Sequence, residues 1–476
     1  MTEHSAPTTR RAFLAASAAT AAIAATPLAL DAAPAAATTI GFDNGPGHLE
    51  FPQFPDRDLR ALLREIDSDR IEATVRRLVA FGTRHTMSSQ DDPVRGIGAA
   101  RDWIRDQFNA IAATSGGRMT VELQAFVQPP STTLPVPTTI TNVIATLRGT
   151  TAPERVYVVS GHYDSRITDV LDFTGDAPGA DDDGSGVATV LELARVFAPR
   201  PTDATIIFVA VAGEEQGLFG SAFMAAQLKA AGTDIQGMFS NDIVGTGDAH
   251  DGTAPDPFTV RLFVEGVPTS ETAQQAAIRR AIGGENDGAS RQLGRFVESV
   301  AKNIFTGMRI RVDWRRDRFL RSSDHVSFLQ QGYPAARFTE PRENFAHEHQ
   351  NVRVENGVQF GDLPEFCDFD YIARVARVNA AALWSLAQGP GTPKNVRIQA
   401  TTLTNDTTLT WNHGTDPDLA GYEVVWREST ATNWTRVIPV GDVTTATIHL
   451  SKDNVQFGVR AVDRDGHRSP VAAPTP

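Results

Sequence analysis

The stretch ATIIFVAVAGEEQGLFGS, residues 204–221, places two consecutive carboxylates, Glu214 and Glu215, directly after a run of apolar residues. A short apolar run that ends at a glycine is typical of a buried strand. Neighbouring strand residues point to opposite faces, so one of the two glutamates is directed toward the interior. An unpaired buried carboxylate costs several kcal/mol. The stretch therefore predicts a buried strand whose end faces a cationic or protonated partner.

Segments typical of strands and of helices alternate on both sides of this stretch, from about Asp56 to Ala387. Residues 97–112 and 185–198 have the apolar spacing of helices. Candidate strands cover residues 119–127, 140–149, 155–165, 204–215 and 235–245. This alternation predicts an α/β domain in which a mostly parallel-stranded sheet is sandwiched by helices.

Residues 1–37 have the features of an export signal: an arginine pair, a short alanine-rich apolar segment and small residues that suit signal peptidase. The motif TRRAFLA, Thr9 to Ala15, resembles the twin-arginine signal of proteins that fold before they cross a membrane. We therefore predict an exported protein, periplasmic or extracellular. No later stretch reaches the ~20 continuous apolar residues of a spanning helix, so no membrane span is expected.

The composition changes after the last helical pattern. A Gly/Pro-rich linker, residues 389–393, precedes short alternating apolar runs over residues 394–474, which predict an all-β sandwich. Trp411, Tyr422 and the ending FGVRAVDRDGHRS resemble a fibronectin type III module. Two roles are open for it: binding of an unknown surface or polymer, and stabilisation without a ligand. Residues 48–388 form the predicted catalytic domain.

The overall charge and the cysteine content restrict the class of protein. The 476 residues carry a formal net charge of −13 and include one cysteine, Cys367. Nucleic-acid binding needs clustered Lys and Arg, so a nucleic-acid partner is not expected. The one basic patch, residues 309–321, is interrupted by aspartates and is expected to form a solvated loop or the rim of a substrate site. A single cysteine excludes an internal disulfide, and Cys367 is expected to pack as a small core residue.

Imidazole and carboxylate groups recur in four segments at or near the predicted strand ends: GHYDS, GADDDGSG, AGEEQG and SNDIVG. The carboxyl ends of parallel strands meet at one edge of a sheet, where ligands bind. These groups suit Zn²⁺. Two divalent ions, three ligating carboxylates and a bridging hydroxide together carry no net charge. The acids alone would raise one another's pKa and oppose folding. The sequence therefore predicts a site for two zinc ions.

Five motifs follow in order over roughly residues 70–385: SGHYDS, PGADDDGSGVA, AGEEQGLFGS, NDIVG and SSDHVSFLQQGYPAARFTE. Together they resemble the co-catalytic zinc exopeptidases typified by bacterial leucyl aminopeptidase. The resemblance implies the zinc-exopeptidase fold and two Zn²⁺ per chain. It also implies that Glu214 is the general base, and that the metal ligands are His162, Asp182, Glu215, Asp242 and a late histidine, with Asp182 bridging both ions.

The late histidine comes from the loop ENFAHEHQNVR. We choose His349, because the family's ligand histidine opens a polar stretch, as in HQNVR. His347 is the alternative. Asp164, two residues after His162, resembles the carboxylate that holds a ligand imidazole in one tautomer.

The expected function is that of a secreted metallo-aminopeptidase that hydrolyses the N-terminal residues of peptides through a zinc-activated water. A carboxypeptidase or dipeptidase is an alternative, in which the arginines of residues 315–321 grip a substrate carboxylate. A glutaminyl-cyclase-like transferase shares the fold family but uses one metal, and a catalytically silent binding protein is a third alternative. Arg318 or Arg321 is a candidate to stabilise the oxyanion, since the tyrosine that family members offer near this point is missing.

Overall fold

The computed structural model describes residues 45–248 and 253–476. The predicted export signal, residues 1–37, lies outside the described residues. The α-helices are α1 (Arg57–Arg64), α2 (Ser68–Val79), α3 (Ile97–Ala112), α4 (Gly186–Phe197), α5 (Phe219–Ala230), α6 (Ala273–Ala281), α7 (Ala289–Ala301), α8 (His325–Gln330) and α9 (Phe369–Gln388).

The strands are β1 (His48–Leu49), β2 (Met119–Gln128), β3 (Thr138–Leu147), β4 (Ala152–His162), β5 (Ala204–Val211), β6 (Asp234–Asn241), β7 (Thr259–Val264), β8 (Arg309–Asp313), β9 (Ala335–Thr339), β10 (Arg353–Glu355), β11 (Val358–Phe360), β12 (Arg397–Ile398), β13 (Thr407–Thr410), β14 (Leu419–Glu428), β15 (Arg436–Gly441), β16 (Thr445–Ile448) and β17 (Val455–Asp463).

An eight-stranded sheet with the order β2-β3-β5-β4-β6-β9-β7-β8 forms the centre of the molecule. Its middle strands β5, β4, β6 and β9 are parallel, and β7 is parallel to β8. The pairs β2/β3, β3/β5 and β9/β7 are antiparallel. The predicted α/β architecture is confirmed, and the sheet is mixed, with its parallel strands in the middle.

Both faces of this sheet are covered by helices, which explains why β5 is buried along its whole length and almost entirely apolar. On one face Ile206 and Phe208 pack in a core with residues of α1, α2, α3, α4, α7 and α9. On the other face Ile207 and Val209 pack with Met224 of α5 and Phe328 of α8. Consecutive residues of β5 thus belong to opposite layers, as the strand period requires.

The C-terminal residues form two antiparallel sheets, of order β1-β15-β14-β17 and β12-β13-β16. Their shared core contains Leu409, Trp411, Tyr422 and Phe457. One strand of this part was not expected from the sequence: His48 and Leu49, at the start of the predicted catalytic segment, pair with β15. The beginning of the described chain therefore belongs to the C-terminal sheet.

Buried ion pairs join the C-terminal sheets to the central α/β part. Arg427 donates two hydrogen bonds to the carboxylate of Asp287, at 2.8 and 3.0 Å. Arg155 of β4 donates to Asp416 at 2.7 Å. Within residues 45–248 and 253–476, none of the helices combines the length and apolar character that crossing a membrane requires.

Candidate metal centre

The middle strands of the central sheet bring the predicted polar residues to one edge. His162 is the last residue of β4, Asp242 follows β6, and Glu214 follows β5 by three residues. The parallel register aligns these strand ends, because His162 pairs with Val211 at the end of β5. The two other contributions come from loops: Asp182 precedes α4, and His349 follows β9.

Asp182 lies between two imidazoles. Its Oδ1 is 3.0 Å from His162 Nε2, and its Oδ2 is 2.8 Å from His349 Nε2. His162 Nε2 is also 3.9 Å from Asp242 Oδ1, and His349 Nε2 is 3.0 Å from Glu215 Oε2. The structure therefore brings together all five residues that the sequence suggested as metal ligands.

Two groups of ligand atoms in this cluster are compact enough to hold an ion. One consists of His162, Glu214 and Asp242, and the other of Asp182, Glu348 and His349; within each group the ligand atoms lie within 4.8 Å of one another. The two groups are adjacent, since Asp182 contacts both imidazoles.

The surroundings of the two imidazoles favour positive charge. Burial opposes protonation of His162, but Asp183 and the carboxylates of Asp164, Asp182 and Asp242 raise its pKa well above the ordinary value. Burial is likewise outweighed at His349, where Glu215 and Asp182 raise the pKa to about 11.

The carboxylates respond in the opposite sense where an imidazole faces them. Burial favours the neutral acid at Asp182, but hydrogen bonds with His162 and His349 hold the pKa of this carboxyl well below its usual range. At Glu214 burial prevails and raises the pKa well above the ordinary value, although the charge of His162 partly offsets the rise. Glu214 therefore has the raised proton affinity of a group that can take up a proton at the site.

The donor set fits zinc. Imidazole nitrogen and carboxylate oxygen are ordinary Zn²⁺ ligands, and the only cysteine of the chain, Cys367, is not among these residues. Glu215 Oε1 is buried and has no hydrogen-bond partner among the described residues. A buried carboxylate oxygen without a donor is costly, and a divalent cation at this place would satisfy it.

Asp164 acts differently from the expectation. Its carboxylate is 3.7 Å from His162 Nδ1, and the ring nitrogen instead lies 3.1 Å from the backbone carbonyl oxygen of Asp164. The carboxylate accepts the backbone N–H groups of Glu214 at 3.3 Å and Glu215 at 3.1 Å. Asp164 therefore orients the imidazole through its backbone and fixes the glutamate turn through its side chain.

The geometry distinguishes the two late histidines. His349 lies against Asp182 and Glu215, as described above. The ring of His347 stacks on Phe366, with the centroids 3.6 Å apart and an angle of 10° between the planes. His349 is accordingly the histidine of the cluster.

Several residues that support the centre were missed by the sequence reasoning. Asp362 accepts the backbone N–H groups of Asp181 and Asp182, both at 2.8 Å. The buried guanidinium of Arg84 donates to the carbonyl oxygens of Tyr163, Pro178 and Gly179, at 2.6 to 2.8 Å. Neither residue stands in a pattern that could have indicated the role, since both contacts depend on the packing of distant segments.

Glu348 was also missed, although it directly precedes His349. One of its oxygens, Oε1, forms an ion pair with Arg321. Arg321 also donates to Glu343 at 2.6 Å, and Arg318 donates to the same carboxylate at 3.0 Å. The two arginines that were candidates to stabilise an oxyanion are therefore engaged by acids.

Comparisons with known sequences agree on the class of protein. A family model described as Peptidase family M28 matches residues 142–353. A probable zinc metalloprotease of Leptosphaeria maculans is 52% identical over 422 residues, which cover 89% of this chain and 98% of the relative. One of Pyricularia oryzae is 52% identical over 436 residues, 90% of this chain and 87% of the relative. Among solved structures, the LapA aminopeptidase of Legionella pneumophila is similar with a TM-score of 0.48 and 20% identity, covering 70% of this chain and 74% of that chain.

Proposed function

Since this chain belongs to peptidase family M28 and is a zinc-dependent peptidase, we propose that it is an exported aminopeptidase that uses two zinc ions to remove N-terminal residues from peptides. The observation that carries the proposal is the position of Asp182, whose two oxygens face two different imidazoles at 3.0 and 2.8 Å. A carboxylate in this position suits the bridge between two ions.

The ligands divide into two sets around that bridge. His162 and Asp242 would hold one zinc ion, and Glu215 and His349 the other. When bound, the ions supply an acidified water and polarise the scissile carbonyl. The chain's own contribution is to hold these donors in place from the ends of three parallel strands and two loops.

Glu214 is the residue that moves the proton. It lies in the same compact group as His162 and Asp242, and burial raises the pKa of its carboxyl. A raised pKa suits a general base that must take a proton from water and give it up again. Glu214 accepts the proton at a carboxylate oxygen and returns it to the leaving amine nitrogen.

The contacts of Arg318 and Arg321 favour an aminopeptidase over a carboxypeptidase that would use these two arginines to bind its substrate. A carboxypeptidase needs a free cation for the C-terminal carboxylate of its substrate. Arg318 and Arg321 both donate to Glu343, and Arg321 also pairs with Glu348. Arg315 lies over the ring of Phe319, with its guanidinium carbon 4.1 Å from the centroid.

Metal analysis and hydrolysis of aminoacyl anilides test the proposal together. Purified protein should contain two zinc ions per chain and should hydrolyse free-amine anilides, while the N-acetylated anilides should be poor substrates. Glu214→Gln should retain both ions and lose turnover, because the amide cannot accept the proton. One ion per chain, or preferred cleavage of N-blocked peptides at a free C-terminus, would contradict the proposal.

Export is a separate part of the proposal and has its own test. The support for it is the TRRAFLA motif near the N-terminus. The double substitution Arg10→Lys and Arg11→Lys should keep the protein in the cytoplasm of a host with a twin-arginine pathway, because that pathway reads the arginine pair. Unchanged export of this variant would contradict the twin-arginine route.

A further inference from the structure

The side chain of Glu348 has one engaged and one unengaged oxygen. The residue is 8% exposed, and Oε1 is held by the Arg321 guanidinium. The other oxygen, Oε2, is buried and has no hydrogen-bond partner among the described residues. A buried carboxylate oxygen without a donor is destabilising, and a catalytic or binding role is one of the reasons why native proteins retain such a group.

The charged groups around Glu348 leave its second oxygen without a cation of its own. Arg321 is shared with Glu343, which also receives Arg261 and Arg318 at 3.0 Å each. Arg318 also approaches Oε1 of Glu348, at 4.0 Å, and so does not reach the second oxygen either. The remaining charged neighbours are Asp182 and Glu340, which are acidic, and His349, which faces Asp182 and Glu215. A further cation is therefore the group that would complete this corner of the site.

We propose that Glu348 is a specificity residue that binds a cationic group of the substrate's N-terminal residue. The inference rests on the proposed aminopeptidase function. The ligand atoms of Glu348, Asp182 and His349 lie within 4.8 Å of one another, so a peptide whose scissile carbonyl reaches the centre brings its first residue beside Glu348. The cation is either the α-ammonium group, which is two bonds from the scissile carbonyl carbon, or the basic side chain of an N-terminal Lys or Arg.

Calorimetry with amino alcohols tests this binding without turnover. The zinc-loaded protein is titrated with leucinol, lysinol and the N-acetyl derivative of each, so that the α-ammonium and the side-chain ammonium are present separately, together or not at all. Glu348→Gln should weaken binding of the compounds that carry the recognised ammonium group about 10- to 100-fold, the usual value of a hydrogen bond to a charged group. N-acetyl-leucinol, which is neutral, should bind both proteins alike.

The pattern of losses identifies the source of the cation. Equal losses for leucinol and lysinol assign the α-ammonium, whereas a loss confined to lysinol and N-acetyl-lysinol assigns the basic side chain. Glu348→Asp keeps the charge and should recover part of the binding. Glu355→Gln is the matched control: Glu355 is exposed and pairs with Arg353 at the surface, so this variant should bind every compound like the wild type.

Three results would overturn the inference. In the first, Glu348→Gln binds all cationic compounds as tightly as the wild type. In the second, it loses as much affinity for neutral N-acetyl-leucinol as for the cationic compounds. In the third, Glu348→Gln contains less zinc per chain, which would make Glu348 a metal ligand. Kinetics with leucyl and lysyl anilides separate this failure from failure of the proposed function. A wild type that hydrolyses neither anilide refutes the aminopeptidase, while normal hydrolysis with the same leucyl-to-lysyl ratio in Glu348→Gln refutes only the role of Glu348.

Discussion

Replacement of Asp287 by alanine should destabilise the central α/β part and the C-terminal sheets together. Asp287 lies between the two parts and accepts two hydrogen bonds from Arg427, at 2.8 and 3.0 Å. The Arg295 guanidinium lies 3.5 Å from the same carboxylate. The side chains of Arg427 and Asp287 are 1% and 8% exposed, so solvent screens this pair little.

The expected loss follows from what the substitution leaves behind. Breaking a buried ion pair by removing one partner costs about 3–5 kcal/mol, because the other charge remains buried. Arg427 keeps some stabilisation in the variant: it still donates to the carbonyl oxygen of Ala431 at 2.8 Å and lies over the ring of Trp434. We therefore expect the lower end of the range, about 3 kcal/mol.

Urea unfolding followed by tryptophan fluorescence and by peptidase activity measures this effect. Trp411 and Trp426 report on the C-terminal core, and Trp384 reports on α9. In Asp287→Ala the fluorescence transition should move to a lower urea concentration as a single step. Peptidase activity should be lost in the same step. Asp442→Ala is the control, because Asp442 pairs with His413 at the exposed surface and its loss should leave the transition in place. An unchanged midpoint for Asp287→Ala, or a separate early transition of the C-terminal sheets with activity retained, would refute the reasoning.

Three further predictions concern pH, metal and the glutamate turn. Contacts with Asp463 and Asp56 raise the pKa of His467 to about 10. The stability that these contacts contribute should therefore be complete below the unfolded pKa of about 6.5 and be lost as the pH rises toward 10. When urea midpoints are measured over this pH range, His467→Gln should lack this decrease. Chelation of zinc should lower the thermal midpoint and abolish peptidase activity until zinc is restored, since a bound ion at about 1,000-fold its Kd stabilises by about 4 kcal/mol. Asp164→Asn should reduce kcat/KM about 10- to 100-fold at saturating zinc, because an amide cannot accept both N–H groups of the Glu214–Glu215 turn as the carboxylate does.

The residues at strand ends were predictable because the strand period and the parallel register act locally. The apolar run of β5 fixes where the strand ends, and Glu214 and Glu215 follow within four residues. The same holds for His162 at the end of β4 and Asp242 after β6. Once these strands are parallel neighbours, their ends must meet at one edge of the sheet.

Features that depend on contacts between distant segments were not predictable in this way. The antiparallel pairs β2/β3, β3/β5 and β7/β9 leave no mark in the apolar spacing of a single strand. The pairing of His48–Leu49 with β15 joins segments from nearly opposite ends of the chain, as does the hydrogen bond from Trp426 to Pro46 nearby. Two residues of strand are too few to produce a period.

The acidic residues around the centre differ in their hydrogen-bond partners. Asp362, Asp183 and Asp164 each accept two backbone N–H groups, so their carboxylate oxygens already have hydrogen-bond partners within the protein. Asp182 and Glu215 direct oxygens at His349 instead, and Glu215 keeps one buried oxygen without a donor among the described residues. Consecutive aspartates such as those of the DDDG loop are alike in sequence, and only the position of nearby backbone amides separates a supporting acid from a ligand. Backbone amides already occupy the carboxylate oxygens of Asp164, Asp183 and Asp362. Asp182 and Glu215 are therefore the acids whose burial a divalent cation must offset.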